Sequence, residues 1–160
     1  DVLAGRGIGR YGPSQLPDMT FRSNGAPAPL HEIIGSLGLI GHPTDNLLLY
    51  SYGGVEAAHR TVYEGADGNY YGYGSPNARL SGCSLMMGVC NAQTQSLISY
   101  TMGGWWHLLD GHYGSVMAGL QYTYVRKFAF RGVNDTGTTT RPTVNGNTVF
   151  VTFRYYPFQN

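Results

Sequence analysis

The sequence predicts an all-β protein: an antiparallel sheet of transmembrane-barrel type, with short turns at one end and long loops at the other. Three observations carry that expectation. Long stretches alternate apolar and polar residues with a period of two, the mark of a strand with one greasy face and one wet face. The connections between these stretches sort into short and long. The composition also suits strands and tight turns. Gly is 24 of 160 residues, Tyr is 13 against 6 Phe, and charged residues are 12%, about half the ordinary share. A helical domain would want more Ala, Leu, Glu and Lys.

Six segments carry strand patterning. The first is "VLAGRGIGRY", Val2 to Tyr11, with Arg6 and Arg10 on one parity. The second, His31 to Gly41, sets Ile33, Leu37 and Leu39 against Glu32 and Ser36. The third, Asn46 to Tyr63, alternates loosely, and Gly53-Gly54 marks a bulge or a close approach. The fourth, Thr94 to Leu109, sets Ile98, Tyr100, Met102, Trp106 and Leu108 against Ser99, Thr101 and His107. The fifth is "GSVMAGLQYTYVRKFAF", Gly114 to Phe130. Val116, Ala118, Leu120, Tyr122 and Tyr124 oppose Ser115, Gly119, Gln121, Thr123 and Lys127 there. The sixth, Asn147 to Phe158, sets Val149, Val151, Phe153 and Tyr155 against Thr148, Thr152 and Arg154.

Two connections are short and rich in turn residues: "HPTDN" after the second strand and "DGHYG" after the fourth. Three are long and polar: Gly12 to Leu30, Glu64 to Gln93, and Arg131 to Gly146. Outer-membrane barrels sort their connections in this way. A soluble antiparallel sandwich with one face on a core would alternate too. Strand length and aromatic placement decide between them. The patterned stretches reach or exceed the roughly 9–11 residues that a tilted strand needs to cross a bilayer. Aromatic rings gather near strand ends, where they settle at a membrane interface. The girdle candidates are Tyr63, Trp105, Trp106, Phe128, Tyr155, Tyr156 and Phe158. No apolar run reaches the ~18 residues of a membrane-spanning helix, which leaves spanning strands open.

Other function classes find little support. The formal net charge is +1 and no basic run occurs, so nucleic acid is not an expected partner. The five histidines, His31, His42, His59, His107 and His112, show no metal-ligand spacing, and no metal or other cofactor is expected. Asp110 beside His112 invites a catalytic triad, but no GxSxG occurs and an enzyme is not expected. "GRGIGRYG" contains a GxGxxG match without a helix or βαβ context, so its glycines are read as packing devices. Asn134 opens an "NDT" glycosylation sequon in a Thr-rich loop. Cys83 and Cys90 admit three states: a disulfide, favoured by the small loop they would close; two free thiols; or a metal site lacking its other ligands.

Several stretches carry a family resemblance: "AGRGIGRYG…LPD", "YSYGGVEAAHRTVY", "GYGSPN…GC", "GGWWHLLDGHYGSVMAGLQYTYV" and "VFVTFRYY". The chain resembles the C-terminal part of uncharacterised porin-like outer-membrane β-barrel proteins of Gram-negative bacteria, the acidobacterial kind in particular. The likeness covers nearly the whole chain and is weakest in the long loops. The closing "FRYYPFQN" looks like the terminal signal by which bacterial barrels are recognised for assembly. The resemblance implies a single domain over residues 1–160, forming a barrel or its last six strands. It also implies a loop disulfide between Cys83 and Cys90 and a place in the outer membrane or at the cell surface. The family brings no established substrate.

The expected partners are the lipid bilayer with its lipopolysaccharide and small solutes crossing by passive diffusion; a surface structural role is the companion expectation. Six strands fall short of the eight in the smallest bacterial barrels. Strands upstream of Asp1, a homo-oligomer, or an extracellular filament built by edge pairing would each complete the sheet. If the polar parity faces a lumen, Arg10, Arg60, Arg154, Glu32, Glu56 and Lys127 are the candidate selectivity residues.

Overall fold

The structure, a computed structural model, describes residues 1–85 and 88–157. Twelve strands follow in chain order: β1 Val2–Arg6, β2 Met19–Phe21, β3 Pro27–Pro29, β4 His31–Thr44, β5 Leu47–Ala58, β6 Thr61–Glu64, β7 Tyr70–Tyr73, β8 Thr94–Gly111, β9 Gly114–Ala129, β10 Gly132–Val133, β11 Thr139–Thr140 and β12 Thr143–Tyr156. The described residues hold two short 3₁₀ turns, and none of their helices is long and apolar enough to cross a membrane.

The six segments that alternate in sequence form one six-stranded sheet in the order β1-β4-β5-β8-β9-β12. Sequential strands are neighbours, as expected of a meander. Its edge strands are β1 and β12, so the sheet is open and no closed barrel is present among the described residues. Four of these strands are 14 to 18 residues long. β1 pairs antiparallel with β4 from Val2↔Gly35 to Arg6↔His31 and so accompanies only the start of that strand. The first strand is shorter than its pattern promised. Gly7 takes φ +66°, a left-handed conformation that turns the chain out of the ladder after Arg6.

The chain divides into two compact units. The first comprises Asp1–Gly35, Val55–Ile98 and Arg126–Val144; the second comprises Ser36–Gly54, Ser99–Val125 and Asn145–Asn160, of which 158–160 lie outside the described residues. The first unit holds the long connections. They are not plain loops: three small antiparallel hairpins, β2–β3, β6–β7 and β10–β11, are folded within them. Leu16, Leu30, Ala58, Tyr73 and Phe130 form a compact apolar core there, with Tyr73 edge-on to Phe130 at 5.5 Å. The Tyr73 hydroxyl satisfies itself by donating to the Thr94 carbonyl at 2.6 Å, and burial of the ring pushes its pKa up to about 12.

Side-chain bonds close the small hairpins. Asp67 accepts from the Asn69 backbone and side chain and from the Tyr71 hydroxyl, an Asx turn with an added cross-strand contact. Asn134 Oδ1 accepts from Thr136 and Thr138, so the sequon asparagine is the anchor of the β10–β11 turn. Cys83 and Cys90 form a disulfide, and disulfides persist in oxidising, extracytoplasmic compartments.

The second unit holds two tight turns between long strands. Asp45-Asn46 joins β4 to β5, and His112-Tyr113 joins β8 to β9. β4 runs on through His42-Pro43-Thr44, which the sequence pattern had placed in the turn. The Asn46 carbonyl accepts from the His107 backbone N–H at 2.9 Å, tying that turn to β8.

Candidate functional site

Alternation gives the sheet of the second unit two chemically distinct faces. One is apolar and exposed. Leu37 and Leu39 on β4, Met102 and Trp106 on β8, Leu120 on β9, and Val149, Val151, Phe153 and Tyr155 on β12 all project there with 47–73% of their surface open. Leu39, Leu49, Met102, Trp106, Leu120 and Val151 border a shallow apolar concavity of about 970 Å³ on this face. The polar parity that the sequence assigned to β9 lies opposite, and its groups are tied to one another. The Tyr50 hydroxyl donates to Gln121 Oε1 at 2.8 Å, Gln121 Nε2 donates to Thr123 Oγ1 at 3.2 Å, and the Thr101 and Thr123 hydroxyls are 3.1 Å apart.

Aromatic rings lie flat across this polar face, each against a glycine of the neighbouring strand. Tyr52 covers Gly38, Tyr50 reaches Gly103, and Trp105 covers Gly119. A Cβ at Gly119 would sit 2.7 Å from the Trp105 ring, so the ring can lie there only over glycine. The Arg154 guanidinium stacks on Trp105 with 4.2 Å to the ring centroid.

This arrangement splits the girdle candidates. Trp105 and Trp106 are adjacent in a strand, so the pleat sends them to opposite faces. Trp106 joins the exposed apolar side, while Trp105 joins Arg154 on the polar side. Tyr155 is exposed and its hydroxyl donates to the Tyr113 carbonyl at 2.6 Å, beside the short turn; Tyr156 lies within 3.4 Å of Arg154 Nη1. Tyr63 departs from the expectation: it belongs to the β6–β7 hairpin, stacked on Tyr71 at 6.0 Å, rather than to a long strand. Phe128 lies under both Arg126 and Arg141. Phe158 lies outside the described residues.

Most of the remaining charged candidates fall in the first unit and serve its loops. Glu32 and Glu56 are almost fully buried, 2% and 3% exposed. Glu32 Oε2 accepts from the Ile8 N–H at 2.8 Å. Glu56 Oε1 accepts from the Ser14 N–H at 3.1 Å, and its Oε2 accepts from the Ser14 hydroxyl. These two carboxylates therefore hold the segment from Ile8 to Ser14 against their strands instead of lining open water. Arg10 pairs with Asp18, its Nε donating to Oδ2 at 2.6 Å, and the pairing holds the Asp18 carboxyl below the usual range. Lys127 is half-buried on β9. Arg60 lies over the Phe130 ring at 5.6 Å, at the edge of a cavity that Arg131 and Arg141 also line. Sequence reasoning missed these last two; their signal was their position as the flanks of one short hairpin.

No group of His, Cys, Asp and Glu suited to a metal ion occurs among the described residues. Compared with known proteins, the chain matches no family model, no curated sequence and no solved structure.

Proposed function

We propose that the chain is an outer-membrane β-barrel protein, or a part of one, with a surface structural role and passive diffusion of small solutes as its activities. The single observation that carries this reading is the exposed apolar face of the second unit. Leu37 is 72% exposed, Leu39 70%, Val151 68% and Phe153 73%. Water-soluble sheets turn such a face onto a core, and contiguous exposed apolar surface marks a membrane or partner contact. The opposite face, with its Tyr50–Gln121–Thr123 hydrogen bonds, is chemically suited to a hydrated interior. Of the two activities, the structural role has the better support. Glu32 and Glu56, two of the candidate lumen charges, bind the segment from Ile8 to Ser14, whereas a diffusion path would leave them in open water.

The test is extraction and electrophoresis. The folded protein should require detergent and should migrate differently before and after boiling. Folded, monodisperse protein in detergent-free buffer would overturn the proposal.

A second reading, a self-assembling extracellular sheet, draws on β12. That edge strand is exposed along nearly its whole length, and exposed edges recruit further strands. Ordered polymers in electron micrographs of detergent-free material would favour it; monodisperse particles would count against it.

A further inference from the structure

We infer that the first unit carries an anion site for a small phosphorylated ligand, built by Arg60, Arg131 and Arg141. The three arginines line one cavity of about 590 Å³, together with His59, Gln95 and Ser96. No carboxylate lines it. Among the described residues the ion pairs are Arg10–Asp18 and His107–Asp110, so none of the three guanidinium groups has an acidic partner there. Three like charges facing one space repel one another unless an anion enters it.

The fold orients two of these guanidinium groups by packing and sets Arg131 beside Arg141 through its backbone. Arg60 rests on Phe130, a buried ring of the apolar core, with 5.6 Å to its centroid. Arg141 lies over Phe128 at 5.0 Å, and its Nε donates to the Ala129 carbonyl at 3.2 Å. Arg131 and Arg141 flank the β10–β11 hairpin, whose Gly132↔Thr140 pairing brings the two positions together. Arg131 also follows Phe130, whose N–H is fixed on the Gln93 carbonyl at 2.9 Å. Side chains oriented by packing and backbone bonds are what a preorganised site requires.

The chemistry of the lining selects the ligand class. Guanidinium forks match the oxygens of phosphate, and three of them balance more negative charge than one carboxylate carries. The volume falls within the ~300–1,000 Å³ of small-ligand sites and leaves room for a sugar or a second phosphoryl group. Gln95 and Ser96 supply neutral hydrogen-bonding groups, as hydroxyl-bearing ligands need. A soluble oligophosphate and a phosphorylated lipid headgroup present the same chemistry. The site does not depend on the membrane reading, since it is formed within the loop-bearing unit.

The experiment is calorimetric titration of the full chain in neutral detergent micelles at low ionic strength, with two probes: tripolyphosphate and dihexanoyl phosphatidic acid. Saturable one-site binding of at least one probe is expected, and the tighter of the two identifies the source of the phosphate. R131Q should weaken binding about tenfold or more, the loss expected of a charged hydrogen bond. R131Q/R141Q should remove binding while an unchanged near-UV dichroism shows that the core is intact. R22Q, an exposed arginine outside this cavity, should bind as the parent does. Absence of saturable binding of both probes up to about 10 mM would overturn the site. So would an equal loss in R22Q and R131Q, which would mean diffuse charge attraction.

Discussion

Glu56 shows how a buried charge is put to use in this chain. A carboxylate that is 3% exposed needs hydrogen-bond donors in place of water, and Ser14 supplies both an N–H and a hydroxyl. Glu56→Ala should loosen the segment from Ile8 to Ser14 by about 2–3 kcal/mol, the value of charge-assisted bonds. Faster hydrogen exchange and proteolysis confined to that segment would show it, and Glu56→Gln, which keeps an acceptor, should lose less. Asp67 offers a pH-dependent case at the surface. Hydrogen bonds from Asn69, then from the Tyr71 hydroxyl, lower its carboxyl from 3.8 to about 2. Its folded pKa lies below the unfolded value. Its contribution to the β6–β7 turn is therefore complete above pH 3.8 and fades as pH falls toward 2. A carboxyl-carbon titration by NMR should place the midpoint near 2, and Tyr71→Phe should raise it. A midpoint near 3.8 in the parent would refute the turn's bonding.

At the level of the strand, stacking of rings on glycines is the device that organises β8, β9 and β12. Gly119 leaves the space that Trp105 fills, and Trp105 in turn supports Arg154. Gly119→Val should displace the ring, break the Arg154 stack and cost about 1–3 kcal/mol, as other overpacked sites do. The chain has 2 Trp, so fluorescence of the variant in a Trp106→Phe background reports Trp105 alone. A red-shifted emission is expected, and an unchanged spectrum would mean that the ring has another support. The strand also explains why two adjacent girdle candidates end up on different faces. Enrichment near strand ends treats neighbours alike, whereas the pleat separates Trp105 from Trp106. Tyr63 fell to a hairpin because β5 ends at Ala58 and β6 starts afresh at Thr61.

For the molecule as a whole, the medium around the apolar face is the decisive question, and a charge placed on that face answers it. Val151→Arg should destabilise the folded protein in lipid vesicles by about 2–4 kcal/mol, the cost of arginine at the bilayer midplane. Thr152→Arg, on the other parity, should be tolerated. In a sheet surrounded by water the order would reverse, because Val151 would be an ordinary exposed position. Denaturant titration of both variants in vesicles measures the difference.

The sequence by itself determined the segments that form the six strands of the main sheet, the two faces of that sheet, and the contrast between short and long connections. Each is a local property. Alternation needs only neighbours along the chain, and turn residues need only their own φ/ψ preferences. It also favoured the pairing of Cys83 with Cys90, because a short loop brings the two together. Tertiary structure alone decided what the charges do. Glu32 and Glu56 alternate like lumen residues, yet the segment from Ile8 to Ser14, 24 and 42 positions away in sequence, covers them. Arg131 and Arg141 look solitary in sequence until the β10–β11 hairpin sets them beside each other, within reach of Arg60. The long loops read as polar connectors because their core-forming residues, Leu16, Leu30, Tyr73 and Phe130, are scattered singly through 115 positions. No periodicity records a core assembled from single residues; only the closing of the chain upon itself brings them into contact.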